Sequence, residues 1–161
     1  VLDGLLKNEK LDEGREYLKK LETVSEALSF PYQTGNQVVD ILLGEKLGLA
    51  KEITAEVSLV LPNPCGIDDF DLCVLFANVL DNAITACRAQ DGAKSIRISG
   101  KRQGDFYMLT FENTCADEPL PPAGTGLSNI RAVAEKYHGA VLTEKTGGWF
   151  SLNVLLNVAA V

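Results

Sequence analysis

The stretch "NVLDNAITA", residues 78–86, carries two asparagines four positions apart in a segment that otherwise reads as a buried helix. Asparagine is a weak helix former, because its carboxamide competes for nearby backbone groups. Projected at about 100° per residue, Leu72, Leu75, Phe76, Val79, Leu80 and Ala83 fall on one broad face. Asp71, Asn78, Asn82 and Thr85 fall on a stripe beside it. Such a stripe either rests in solvent, its amides bonded to neighbouring backbone, or faces a polar ligand. A second stretch, "GTGLSNI" at residues 124–130, places Gly124 and Gly126 directly ahead of a helix. Glycines there let the backbone approach a ligand closely, and free N–H groups at a helix start suit a phosphate. A plain loop-to-helix turn would use the same residues. The pattern is not a Walker A loop, which needs Gly-Lys-Ser/Thr. Nor is it a complete G-x-G-x-x-G, since Asn129 stands at the third glycine position.

The surrounding elements can be read from periodicity. Residues 11–29 place Leu11, Leu18, Leu21 and Leu28 on a seven-residue seam, the mark of a helix with a narrow apolar stripe. "LLKNEKLDEG" before it reads as the end of another helix and a turn, giving the second half of a helical hairpin, although a stripe of this kind could equally dock on the same domain. "FPYQTGN" breaks the helix, and "NQVVDILLGEKLGLAKE" resumes one, with Val38, Ile41, Leu42 and Leu49 on its apolar face. "ITAEVSLVLP" alternates as a strand. Asp68 or Asp69 can cap the long helix that runs to about Arg88. "KSIRISGKR" and "DFYMLTFEN" alternate as two strands around a Gln103-Gly104 turn. "TCADEPLPPAG" is a loop, and "TGLSNIRAVAEKYHG" a helix ending at Gly139. The last segment is a hairpin turning at Gly147-Gly148. From residue 35 the order is α, β, α, β, β, loop, α, β, β, which predicts a two-layer α/β sandwich with helices on one face of a mixed sheet.

Bulk properties limit the partners. The 161 residues are 46% apolar and 23% charged, in the range of one domain with a sizeable core plus an appendage. A formal charge of −7 argues against a nucleic-acid groove or an anionic membrane surface as the partner, since both need clustered Lys and Arg. No run approaches the ~18 apolar residues of a membrane helix, and the N-terminus lacks signal-peptide order. The chain therefore reads as a cytosolic segment, opening in mid-pattern as if excised from a longer protein. Cys65, Cys73, Cys87 and Cys115 show no C-x-x-C spacing, and small buried thiols are the expectation.

Together these motifs carry a resemblance. "NVLDNAITA" resembles the N box, and "GTGLSNIRAVAEKYHG" the second glycine box, of the GHKL ATP-binding fold. That fold is shared by gyrase-type topoisomerases, heat-shock chaperones, histidine kinases and mismatch-repair ATPases. The chain is most similar to sensor histidine kinases of the peptide-pheromone receptor branch, through "TGN" with "VVD", "DLC" with "NVLDNAI", and "GLSNI" with "EKY". The resemblance spans residues 34–156, and the 11–29 helix resembles the second helix of a dimerisation and phosphotransfer hairpin.

The resemblance implies a Bergerat-type ATP-binding catalytic domain over 34–161, preceded by a hairpin remnant over 1–30. It implies ATP and Mg²⁺ as cofactors, with Asn82 and Asn78 at the metal and Asn113 reading the adenine. Gly124 and Gly126 become the hinge and phosphate turn, and the helix from Leu127 faces the phosphates. An amide oxygen is a neutral hard ligand, suited to a cation whose charge the triphosphate already meets. The implied partners are a dimerisation helix bearing the acceptor histidine, a response regulator, and a second copy in the full-length protein. The implied location is the cytoplasmic part of a membrane-bound receptor.

Three features depart from the family pattern. Asn113 stands where D-x-G-x-G has its aspartate, and Cys115 and Asp117 stand where it has glycines. The lid between Asn113 and Gly124 is short, acidic and proline-rich, with no lysine, and Arg131 is the nearest basic residue. His138, the sole histidine, ends a helix and reads as structural, so the phosphoacceptor lies outside this sequence. Two further readings stand beside the kinase: a GHKL-fold interaction domain with weak or no nucleotide binding, and another GHKL ATPase.

Overall fold

A computed structural model of the chain describes residues 15, 31–62, 65–117 and 124–158. Apart from Arg15, the expected hairpin helix over 11–29 lies outside them, as does most of the lid. Tyr32–Val161 forms one compact unit. Its elements are α1 (Gln37–Leu49), β1 (Thr54–Ser58), α2 (Asp69–Arg88), β2 (Ser95–Gln103), β3 (Phe106–Thr114), α3 (Thr125–Lys136), β4 (Ala140–Thr146) and β5 (Trp149–Asn157). The order is the one expected from periodicity.

The five strands form one sheet in the order β1-β2-β3-β5-β4. β1 runs parallel to β2, and every other neighbour is antiparallel, so the sheet is mixed. Alternation decides which side is buried. Ile96 and Ile98 of β2, Leu109 and Phe111 of β3, and Leu152, Val154 and Leu156 of β5 point into one core with α2 and α3. Phe76 of α2 meets Phe111 of β3 edge to face, with ring centroids 5.4 Å apart. α2 is the one helix among the described residues long and apolar enough to cross a bilayer. Its buried Leu72, Leu75, Phe76, Val79 and Leu80 are committed to this core.

Four local readings differ from expectation. α1 buries Val39, Leu43 and Leu47, while Leu49 is exposed and Val38 and Ile41 are half-buried. The helix is apolar on several sides, so spacing alone does not fix its rotation. β1 covers only Thr54–Ser58, after which Leu59 and Leu61 are buried in an extended segment. The first hairpin turns at Gly104-Asp105, with Gln103 paired to Phe106 and Gly104 at φ +60. α3 ends with His138, not Gly139, in the left-handed region, at φ 54. Gly139 is required for a different reason. A Cβ there would stand 1.6 Å from the Leu155 carbonyl oxygen.

The "TGN" stretch is a fastening at the start of α1. Asn36 is the N-cap, its Oδ1 accepting from Val39 N at 3.1 Å. Buried Thr34 donates from both its backbone N and its Oγ1 to Asp40 Oδ1, each at 2.7 Å. The Thr34 carbonyl accepts from Leu61 N at 2.7 Å, and Asn36 Nδ2 donates to Asp69 Oδ1 at 3.0 Å. α1 is thereby tied both to the extended segment and to the first turn of α2.

Candidate nucleotide site

The polar stripe of α2 faces α3. A Cβ added to Gly126 would lie 3.2 Å from both amide atoms of Asn82 and 3.5 Å from Asn78 Oδ1. The backbone at the start of α3 therefore rests directly on the two carboxamides. A side chain at Gly126 would have to push the Asn82 carboxamide back by a few tenths of an ångström, so glycine has a packing reason there as well as its place in the motif. Asn78 Nδ2 donates to the Val74 carbonyl at 2.7 Å. This is the backbone bond a helical asparagine ordinarily makes, and it uses one of the two N–H donors and fixes the orientation of the amide. Oδ1 is then the atom left toward Gly126. Asn82 is exposed, and Thr85, a further turn along, is exposed as well.

Gly124 is the N-cap of α3, and no side chain caps its free N–H groups. The first turn holds no acidic residue of its own to offset the positive end of the helix dipole. Gly124 is extended at φ −94, and a Cβ there would meet nothing within 4 Å. Its packing does not demand glycine as that of Gly126 does. Leu127 is half-buried and packs on the core, next to the uncapped turn.

Asn113 sits at the end of β3 and is 3% exposed. Its Nδ2 donates to the Thr114 carbonyl at 3.0 Å, a bond to the next residue that turns the amide oxygen the other way. Beside it, Thr114 Oγ1 accepts from Ser95 N at 3.0 Å and lies 3.5 Å from the Cys87 sulfur. This knot fixes the ends of β2 and β3 around Asn113. The sequence reading missed it, since its partners are 19 and 27 residues apart. All four cysteines are free thiols, with Cys87 and Cys115 buried.

Asp71 does not continue the stripe as a free carboxylate. It is buried, accepts from Lys136 Nζ at 2.8 Å, and accepts a hydrogen bond from the Tyr137 hydroxyl. Those two bonds, Lys136 first, hold its carboxyl below the usual range against the opposing effect of burial. Arg131 is exposed and donates to the Val141 carbonyl at 3.5 Å, which ties it to β4. Residues 118–123 of the lid lie outside the described residues.

These donors fit a hard cation only in combination with an anion. No cluster of three or more histidine, cysteine or acidic side chains that could hold a metal exists among the described residues. Asn78 and Asn82 offer neutral oxygens, which suit Mg²⁺ already bound to phosphate and would not hold the bare ion. The uncapped start of α3 supplies the complementary feature, donors for that phosphate.

Solved structures share the architecture. The Acinetobacter baumannii histidine kinase AdeS is similar at a TM-score of 0.61 and 19% identity, over 96% of this chain and 81% of that one. A histidine kinase from Burkholderia phymatum STM815 gives a TM-score of 0.62 at 14% identity, over 94% and 81%. The mycobacterial sensor histidine kinase MprB gives 0.59 at 17% identity, over 75% and 92%. At these identities the likeness establishes the fold. No curated protein matches the sequence. Residues 67–157, more than half of the chain and including α2, Asn113 and α3, match the GHKL domain. The chain belongs to the GHKL domain family, in the fold of histidine-kinase catalytic domains.

Proposed function

We propose that this GHKL domain binds Mg²⁺–ATP as the catalytic domain of a two-component sensor histidine kinase of the peptide-pheromone receptor branch. Its γ-phosphoryl acceptor is a histidine outside this sequence. The observation that carries the reading is the seating of the Gly126 backbone on the carboxamides of Asn82 and Asn78. Asn82 and Asn78 would hold the metal through their oxygens, the start of α3 from Gly124 to Leu127 would receive the phosphates, and Asn113 would accept from the adenine amine. Mg²⁺ bound there would neutralise phosphate charge during transfer. The protein's own part is positioning: two helices fix the triphosphate while the base is held at the end of β3.

In this reading residues 1–30 belong to the dimerisation hairpin and 34–161 form the ATP-binding domain. The full-length protein would be a homodimeric membrane receptor with the domain on the cytoplasmic side, acting on a response regulator. A second reading rests on Asn113. A neutral amide holds an amine less strongly than the family's carboxylate, which favours an interaction domain with weak or no nucleotide binding.

The experiment is Mg²⁺-dependent binding of a non-hydrolysable ATP analogue, compared with Asn82→Ala. Saturable binding that Asn82→Ala weakens at least ~10-fold, or about 1.4 kcal/mol, supports the kinase reading. Absence of binding at millimolar analogue selects the interaction domain. Equal binding by Asn82→Ala removes that residue from the metal site.

A further inference from the structure

The far end of the α2–α3 seam carries a polar cluster that the nucleotide site does not use. The Tyr137 hydroxyl, at the C-terminal cap of α3, accepts from Asp68 N at 3.0 Å and donates to Asp71 Oδ2. Both capacities of the hydroxyl are thus spent on the first turn of α2, whose N-cap is Asp68. Lys136 Nζ adds an ion pair to Asp71 at 2.8 Å. Asp71 is 7% exposed while the Lys136 side chain is 61% exposed. The bond from Tyr137, less exposed than the lysine, is therefore the geometric constraint, and the lysine supplies charge from the rim.

The spacing gives this cluster a consequence. Asp71 and Asn82 stand eleven residues apart on α2, and Gly126 and Tyr137 stand eleven residues apart along α3 and its cap. At a rise of about 1.5 Å per residue, each interval is roughly 16 Å. The seam has one tie at each end, Asp71 to Tyr137 and Asn82 to Gly126, with helices running in opposite directions between them. A helix held at two points along its length can neither slide nor rotate against its neighbour without breaking one of them. The Asn82 tie is a bare backbone contact on an exposed amide, with no hydrogen bond of its own. The Asp71 tie is the one able to set the register.

We propose that Asp71 and Tyr137, assisted by Lys136, are positioning residues that set the register of α3 on α2 and so hold the Gly126 backbone at the Asn82 carboxamide. Their effect on nucleotide affinity rests on the function proposed above; their effect on the seam does not.

The test uses Tyr137→Phe, which removes one hydroxyl and keeps the ring, and Asp71→Asn. The nucleotide-free protein is read by two-dimensional NMR at the Gly126 amide and the Asn82 side-chain amide. Thr110→Ala is the control, since it breaks the Thr110–Asn153 hydrogen bond between β3 and β5, outside the α2–α3 seam. Tyr137→Phe is expected to move both resonances and to weaken Mg²⁺-dependent ATP-analogue binding about 2- to 30-fold, the effect that substitutions between two coupled sites can have. Thr110→Ala is expected to leave both unchanged while itself lowering thermal stability. If Tyr137→Phe lowers the melting temperature and leaves the Gly126 and Asn82 resonances in place, the cluster is only a staple and the proposal fails. Should the wild type bind no analogue, the kinase reading fails, and the resonances still decide the seam. Should Asp71→Asn not fold, Tyr137→Phe alone decides.

Discussion

The backbone of Gly126 and the carboxamide of Asn82 are in such close contact that a methyl carbon on the glycine would stand 3.2 Å from both the nitrogen and the oxygen of the amide. Gly126→Ala separates stability from site geometry. Inside a helix alanine is favoured over glycine by about 1 kcal/mol, and exposed Asn82 can swing aside to admit the methyl group. The melting temperature is expected to hold or rise slightly. Mg²⁺-dependent nucleotide affinity is expected to fall by ~10-fold or more. Undiminished affinity would show that the contact has no part in binding.

Restoring the family's aspartate at position 113 is expected to destabilise the protein. Asn113 Nδ2 donates to the Thr114 carbonyl at 3.0 Å in a site 3% exposed. In Asn113→Asp an oxygen faces that carbonyl, at a cost of about 1–3 kcal/mol. Burial raises the folded pKa of the new carboxyl above its unfolded value of ~3.9. The penalty therefore grows as pH rises through that value. Denaturant titrations at pH 4.5 and 7 check this, and a smaller loss at pH 7 would contradict it.

Asp71 predicts a different pH profile. Lys136 and then Tyr137 depress its folded pKa below the unfolded value. Its stabilising contribution is complete above ~pH 4 and is lost as pH falls through the folded pKa. Asp71→Asn is expected to be less stable at neutral pH and to lose less stability on acidification. Thermal melts from pH 6 to pH 2.5 compare the slopes, and parallel curves would refute the assignment.

His138 and Gly139 should respond in opposite directions. His138 holds φ 54, a conformation that costs an L-residue about 1–2 kcal/mol. His138→Gly is expected to stabilise by up to ~1 kcal/mol after the extra entropy of the unfolded glycine is counted. Gly139→Ala would drive a carbon to 1.6 Å from the Leu155 backbone oxygen and is expected to cost about 3 kcal/mol or more. Chemical denaturation of the two variants measures both signs.

Periodicity made the element order legible. Strands such as Phe106–Thr114 alternate cleanly, and the core face of α2 is set by its apolar spacing. α1 was legible as a helix but not in its rotation, because its apolar residues surround most of its axis. The stripe of Asp71, Asn78 and Asn82 was visible as a stripe, and the glycines of α3 as a turn. That Gly126 lies on Asn82, or that Asp71 is held by Tyr137 66 residues away, follows from the packing of two helices that local spacing does not encode. The same limit hid the left-handed turn at His138. Gly139 had the residue type expected there, and the close approach of Leu155 is what requires it.

The fastening at Thr34 and Asn36 bears on how such domains can be exchanged between proteins. The family match begins at Ile67, yet Asn36 bonds to Asp69, Thr34 to Leu61, and Lys46 to Asp81 at 2.7 Å. A chimera joined at the match boundary would discard α1 and β1, uncovering one side of α2 and leaving β2 without its parallel neighbour. A graft that keeps the chain from Tyr32 onward carries its own fastening with it, so the transplantable piece is larger than the motif that identifies it.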